Sequence, residues 1–134
     1  MTDPDLMKTN DPVDKQVRHW VQPGLTLSSP EGDLTATRAA HTAFLGSAPM
    51  PLTGKHRYVF ILGREPAGGQ PGTGERAGDA DFKDRLRFQA ADFVKEHNLE
   101  VVGVALMSVA PTLGAGVDDA KLMAAAATHI VTGS

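Results

Sequence analysis

Residues 46–63 read Gly46-Ser47-Ala48-Pro49-Met50-Pro51-Leu52-Thr53-Gly54-Lys55-His56-Arg57-Tyr58-Val59-Phe60-Ile61-Leu62-Gly63. Pro49 and Pro51 fix their own φ and push the residue before each out of the helical region, so the first part reads as a loop. From Tyr58 to Leu62 the residues are apolar, β-branched or aromatic, the composition of a strand covered on both faces. A polar turn therefore runs straight into a core strand. The junction, Gly54-Lys55-His56-Arg57-Tyr58, gathers a lysine, an imidazole, a guanidinium and a phenol within five positions.

Upstream of this stretch, Gln16 to Val21 has Val17, His19 and Val21 on one face and Trp20 on the other, a period of two that predicts a strand ended by Pro23-Gly24. Leu34 to Phe44 shows some helical tolerance but little periodicity. Downstream, glycine and proline recur between Glu65 and Ala80, which predicts a surface loop outside the core. Leu86, Ala90, Phe93 and Val94 then fall at i, i+4, i+7 and i+8, predicting a helix from about Lys83 to His97. Val101 to Ala110 reads as a second buried strand, and Asp118 to His129 as a C-terminal helix whose alanine run buries little. The expected organisation is one mainly β domain of α+β type over residues 1–110, followed by a tail over residues 111–134.

The chain has 134 residues, 41% of them hydrophobic, which suits one core and not two. Thirteen Lys and Arg against sixteen Asp and Glu give a net charge of −3, with no basic surplus for a phosphate backbone, so nucleic acid is not an expected partner. The apolar runs fall short of the ~20 residues that span a bilayer. The N-terminal residues show neither a signal-peptide nor a transit-peptide pattern, and the expected location is the cytoplasm. The absence of cysteine removes disulfides, thiol nucleophiles and thiolate metal sites together.

Three groups carry polar chemistry: Asp3-Pro4-Asp5, His19-Trp20, and the junction around His56 and Tyr58. Two imidazoles, a phenol and one or two carboxylates can together hold a phosphate or carboxylate through charge-assisted hydrogen bonds. Each also has an ordinary reading: Asp-Pro-Asp as a turn, His19 as a core histidine bonded to backbone, Tyr58 as a packing residue. The histidines at 19, 41, 56, 97 and 129 lack metal-ligand spacing, and no serine lies in a G-x-S-x-G elbow. No cofactor is implied, and the residues read as a binding site more than a catalytic one.

In order and spacing these pieces resemble the phosphatidylethanolamine-binding protein (PEBP) family. The family's D-P-D-x-P-[SN] signature, with a histidine after ten further residues, is approached by Asp3-Pro4-Asp5-Leu6-Met7-Lys8 and His19. Its G-x-x-P-P-x-G-T-G-x-H-R-Y-V-F stretch is approached by Gly46 to Phe60. Phe82-Lys83-Asp84-Arg85 to Phe93, and then His97 to Ala105, resemble its helix and final core strand in a form similar to fungal members. The resemblance runs from Thr2 to about Ala110.

The resemblance implies a β-sandwich with an anion pocket at one end, lined by Asp3, His19, His56 and Tyr58, with Gly46, Pro49 and Asp5 at or behind its wall. It implies a binding role in which a shallow pocket holds a phosphate, a phospholipid head group or a carboxylate. Two alternatives stay open: an accessory protein acting on carboxylate or anhydride intermediates in fungal secondary metabolism, and an inhibitor of a serine carboxypeptidase or a kinase. Met7 and Met50 stand in place of pocket prolines, Lys8 in place of Ser or Asn, and Val17 where many members have Trp. Only Met1 and Thr2 precede the Asp-Pro-Asp motif, so the sandwich is expected to lack its N-terminal strands and to expose an edge and an apolar face.

Overall fold

The structure, a computed structural model, describes residues 1–68 and 82–112. Four strands form an antiparallel sheet in the order β2-β1-β5-β6: β1 is Thr2–Asp3, β2 Val17–Arg18, β5 His56–Arg64 and β6 Glu100–Val109. A separate hairpin pairs β3, Leu25–Leu27, with β4, Leu34–Ala36. The helices are α1, Phe82–Arg85, and α2, Ala90–Glu96. The mainly β architecture matches the expectation, and the C-terminal helix expected over 118–129 lies outside the described residues.

The strand expected from Tyr58 to Leu62 is β5, which lies between β1 and β6 in the sheet. Strand alternation places His56 and Tyr58 on one face, and both are buried. Thr2 of β1 pairs with Val59, so the turn that follows β1 is delivered beside the start of β5. Leu62 pairs with Gly103 but Gly63 with Val101, which leaves Val102 as an extra residue in β6. Gly63 suits this bulge because a Cβ there would lie 3.3 Å from the Cβ of Leu99.

Within the expected strand 16–21, only Val17 and Arg18 form β2; Gln16 bridges Phe88 and Val21 bridges Thr42. The hairpin β3–β4 had no counterpart among the expected elements, because its residues are mostly exposed and give no strong alternation.

Two expectations need correction. The helix expected from Lys83 to His97 is two helices, broken at Leu86 to Gln89. There Arg87 takes φ 59°, its N–H donates to the Asp14 carbonyl at 2.8 Å, and Phe88 exchanges backbone hydrogen bonds with Gln16. The guanidinium of Arg18 adds a cation–π contact, 5.7 Å from the Phe88 ring centroid. Pairing with the 14–18 segment thus outweighs the local helical pattern. The helix does end where the pattern predicts: Asn98 at φ 50° and the bonds Asn98 N–H to Lys95 O and Leu99 N–H to Val94 O make a Schellman cap.

Strand β6 exists as expected, but it is not buried. Val101, Val102, Val104, Leu106 and Met107 are all exposed. β6 is the last strand of the sheet, so its outer backbone edge has no neighbouring strand among the described residues. β5 is likewise only half-covered beyond Tyr58.

Burial is concentrated instead around polar groups. Among the described residues, five buried hydrophobic residues stand against eleven buried polar or charged ones. The apolar cluster is small: Leu6, Val17 and Leu45, with Met7, Phe82 and Leu86 packed on it. A separate cleft of about 580 Å³ is lined by apolar residues including Trp20, Leu25, Leu34, Ile61, Phe93 and Val104. None of Asp3, Asp5, His19, His56 and Tyr58 lines it.

Candidate functional site

Asp-Pro-Asp is a turn, and it is also the hub of the buried polar network. Asp3 Oδ1 accepts the Asp5 N–H at 2.7 Å, the closure that makes an Asx turn. The other carboxylate oxygen, Oδ2, accepts from His56 Nδ1 at 2.8 Å. His56 Nε2 lies 2.7 Å from Thr53 Oγ1, and that hydroxyl donates to the Met50 carbonyl at 2.8 Å. One chain of hydrogen bonds therefore ties β1, β5 and the 50–53 turn together, and both nitrogens of His56 are engaged within it.

Asp5 serves the frame. Its carboxylate accepts from Arg57 Nε and Nη2 at 2.8 Å each, from the Arg57 N–H at 3.0 Å and from the Asn10 N–H at 2.8 Å. Burial pushes the Asp5 carboxyl up, but these donors and the charge of Arg57 outweigh it and bring it down to about 2. With four donors on two oxygens, the carboxylate is committed to the loop between β1 and β2 and to the start of β5.

His19 follows β2 and is 1% exposed. Its Nδ1 lies 3.1 Å from the Leu45 carbonyl, which can only accept, so Nδ1 carries the hydrogen. Nε2 is buried with no hydrogen-bond partner. Burial pushes the imidazole pKa down; the Leu45 carbonyl and Asp3 oppose that, and Arg85 and the Met1 amino group add to it. The ring meets Tyr58 edge to face, with centroids 5.1 Å apart, and Tyr58 stacks on His56 at 6.4 Å. Tyr58 thus stands between the two histidines.

The structure brings Asp3, His19, His56 and Tyr58 together, with Asp5 beside them. Gly46 is exposed, and a Cβ there would meet nothing within 4 Å, while Pro49 is buried. The network is closed rather than an open shallow depression: Asp3, His19, His56 and Tyr58 are each no more than 2% exposed. Sequence reasoning missed Thr53 and Arg85. The Arg85 guanidinium donates to the carbonyls of Arg18, His19 and Ala43 at 3.2, 3.1 and 3.0 Å, joining two segments that flank His19. A lone arginine on a predicted helix gives no sign of such a role; the only signal was its place in the Phe82-Lys83-Asp84-Arg85 motif.

No group of three or more His, Cys, Asp or Glu side chains among the described residues is arranged to hold a metal ion. No helix among them is long and apolar enough to cross a membrane.

A strand order that sets an Asp-Pro-Asp turn against a His-x-Tyr strand, with a second histidine behind it, defines a class of fold and site already met in the sequence motifs. The family model described as phosphatidylethanolamine-binding protein matches residues 1–133, and the chain belongs to that family. The uncharacterized protein YLR179C of Saccharomyces cerevisiae is 27% identical over 123 residues, covering 77% of this chain and 54% of the yeast protein. A solved structure of carboxypeptidase Y inhibitor, complexed with its cognate proteinase, superposes with a TM-score of 0.68 at 24% identity. That match covers 83% of this chain and 57% of the inhibitor, and it shows the fold. The chain spans little more than half the length of these two relatives.

Proposed function

We propose that this chain is a binding protein that holds a phosphate or carboxylate group of a small ligand against Asp3, His19, His56 and Tyr58. The observation that carries this reading is a polar network buried where apolar residues would be easier to bury. Buried polar groups cost free energy unless they are hydrogen-bonded. His19 Nε2 is a buried atom of this network without a hydrogen-bond partner. Since the lining residues are closed off, a ligand gains access by displacing part of the cover. The turn Met50–Thr53 is the segment proposed to yield: it presents exposed Leu52 and touches His56 through Thr53.

The test is thermal unfolding with and without millimolar phosphate or acetate. A ligand that binds only the native state raises the midpoint by mass action. The reading expects a rise in the parent chain and none in His19→Ala, with cooperative unfolding in both. An equal rise in the variant refutes the assignment.

A protein target is a second reading, favoured by Phe44 and Leu52, which are large, apolar and exposed and directly precede Leu45 and Thr53 of the site. The relative solved with its proteinase makes a serine carboxypeptidase the first target to assay. Inhibition retained in His19→Ala and lost in Leu52→Asp supports this reading; inhibition by neither the parent nor the variants removes it.

A further inference from the structure

The two edges of the four-stranded sheet differ in length: β2 has two residues and β6 has ten. Edge strands that stay unpaired carry guards such as charged side chains, proline or a bulge. Residues 101–109 of β6 contain no charge and no proline, and their one guard is the bulge at Val102. Beyond that bulge lies a regular stretch of seven residues, Gly103 to Val109, matched one to one with β5 from Leu62 back to His56. Pro111, which has no N–H to give, closes the far end. Each of the seven is exposed or half-exposed. Strand alternation puts Val104, Leu106 and Ser108 on one face and Gly103, Ala105, Met107 and Val109 on the other.

We propose that a second copy of this chain pairs with this edge, β6 antiparallel to β6 about a two-fold axis at Leu106, so that two four-stranded sheets join into one continuous sheet. The strand is self-complementary in that register. An axis at Leu106 pairs all seven regular residues and leaves both bulges outside. It sets Leu106 against its own copy, Val104 against Ser108, Ala105 against Met107 and Gly103 against Val109. On one face a small residue therefore meets a larger one at every pair, and on the other the leucines meet at the centre. An axis at Ala105 or Met107 pairs only five regular residues, because the next position meets the bulge at Val102 or runs past the end of the strand. Glu100, the one charged residue of β6, falls outside the paired stretch, so no like charges face each other. A two-fold contact of this kind uses each β6 edge once, and association through it stops at two chains.

The chain has no cysteine, so an introduced one can form a disulfide only with another copy. The experiment is sedimentation of the full chain over a concentration series up to millimolar, together with oxidative crosslinking of Leu106→Cys, Val104→Cys and Ser108→Cys, all at exposed positions. The expected mass doubles and rises no further. Leu106→Cys is expected to form a disulfide-linked dimer. Val104→Cys alone is not, because its two copies lie about 14 Å apart along the strands, whereas a mixture of Val104→Cys and Ser108→Cys is. A parent chain that stays monomeric overturns the proposal and leaves the edge to a strand of other origin. Mass that keeps growing past two chains, or Val104→Cys linking to itself as readily as Leu106→Cys, also overturns it, in favour of association without a fixed register. Sedimentation reads the unmutated chain, so this arm does not depend on a variant folding.

Discussion

His56 Nδ1 sits 2.8 Å from Asp3 Oδ2, and both side chains are almost wholly buried. The pair joins positions 53 residues apart, so it fastens the turn after β1 to the start of β5. Removing one partner of such a pair leaves the other buried and uncompensated, which costs about 3–5 kcal/mol. Asp3→Ala and His56→Ala are each expected to lower stability by about 3 kcal/mol in urea unfolding, with the double variant well short of the sum. Additive losses would show that the two side chains act independently.

Asp5 predicts a pH dependence of definite sign. Its folded pKa of about 2 lies below the ordinary 3.8, so the stability it contributes is present above pH 3.8 and is lost as pH falls through 2. A tenfold change in proton affinity is worth about 1.4 kcal/mol, and the partly exposed Arg57 partner lowers the expected contribution to about 1–2 kcal/mol. Urea midpoints between pH 5 and 2 are expected to fall less steeply in Asp5→Asn than in the parent chain. Identical slopes would mean that another carboxyl governs acid unfolding.

Leu52 is fully exposed and takes φ 76° at the third position of the turn closed by the Thr53 N–H to Met50 O bond. That conformation suits glycine, which the family pattern carries here, and disfavours a γ-branched side chain. Leu52→Gly is expected to stabilise the chain by about 0.5–1 kcal/mol, after allowing for the greater freedom of glycine in the unfolded state. An unchanged or lowered unfolding midpoint contradicts the assignment of strain at this residue.

Arg85 donates to three backbone carbonyls from a position 5% exposed. Arg85→Met keeps much of the volume and removes every donor, and is expected to cost about 3 kcal/mol, since each hydrogen bond to a charged group is worth about 1.5–3 kcal/mol less what repacking recovers. Arg85→Lys should recover only part of this, because one ammonium cannot reproduce the planar fork. Full recovery by lysine would reduce the role of Arg85 to its charge.

Strand β6 presents Val104 and Leu106 at 65% and 62% exposure, and its outer edge has no neighbouring strand among the described residues. Such an edge favours association with another chain. The chain as given is expected to self-associate by light scattering at high concentration, and Val104→Lys with Leu106→Lys to shift it toward monomer with little change in unfolding midpoint. A parent chain that stays monomeric at millimolar concentration contradicts this.

Much of this was legible in the residues. The strand from His56, the strand after Glu100 and the Asn98 helix stop carry strong local signals of composition, apolar run and turn chemistry. The motif spacings that resemble the family also pointed to Asp3, His19, His56 and Tyr58, four residues that the structure places side by side. The break at Arg87 and Phe88 was not legible, because a periodic apolar pattern cannot report that Asp14 and Gln16 compete for the same backbone groups. Nor was the exposure of β6, since an apolar strand reads alike whether or not anything packs on it.

By itself, then, the sequence determined the two long strands, where the polar turn meets the central strand, and to which family those segments belong, because these follow from short-range sterics and from residue order. Only the tertiary structure decided which hydrogen-bond capacity remains. It engages both nitrogens of His56 on Asp3 and Thr53, commits Asp5 to Arg57 and Asn10, and leaves Nε2 of His19 unpaired. The physical reason is that a donor or acceptor is used up by whatever lies within about 3 Å of it, and contacts across tens of residues exist only once the chain has folded.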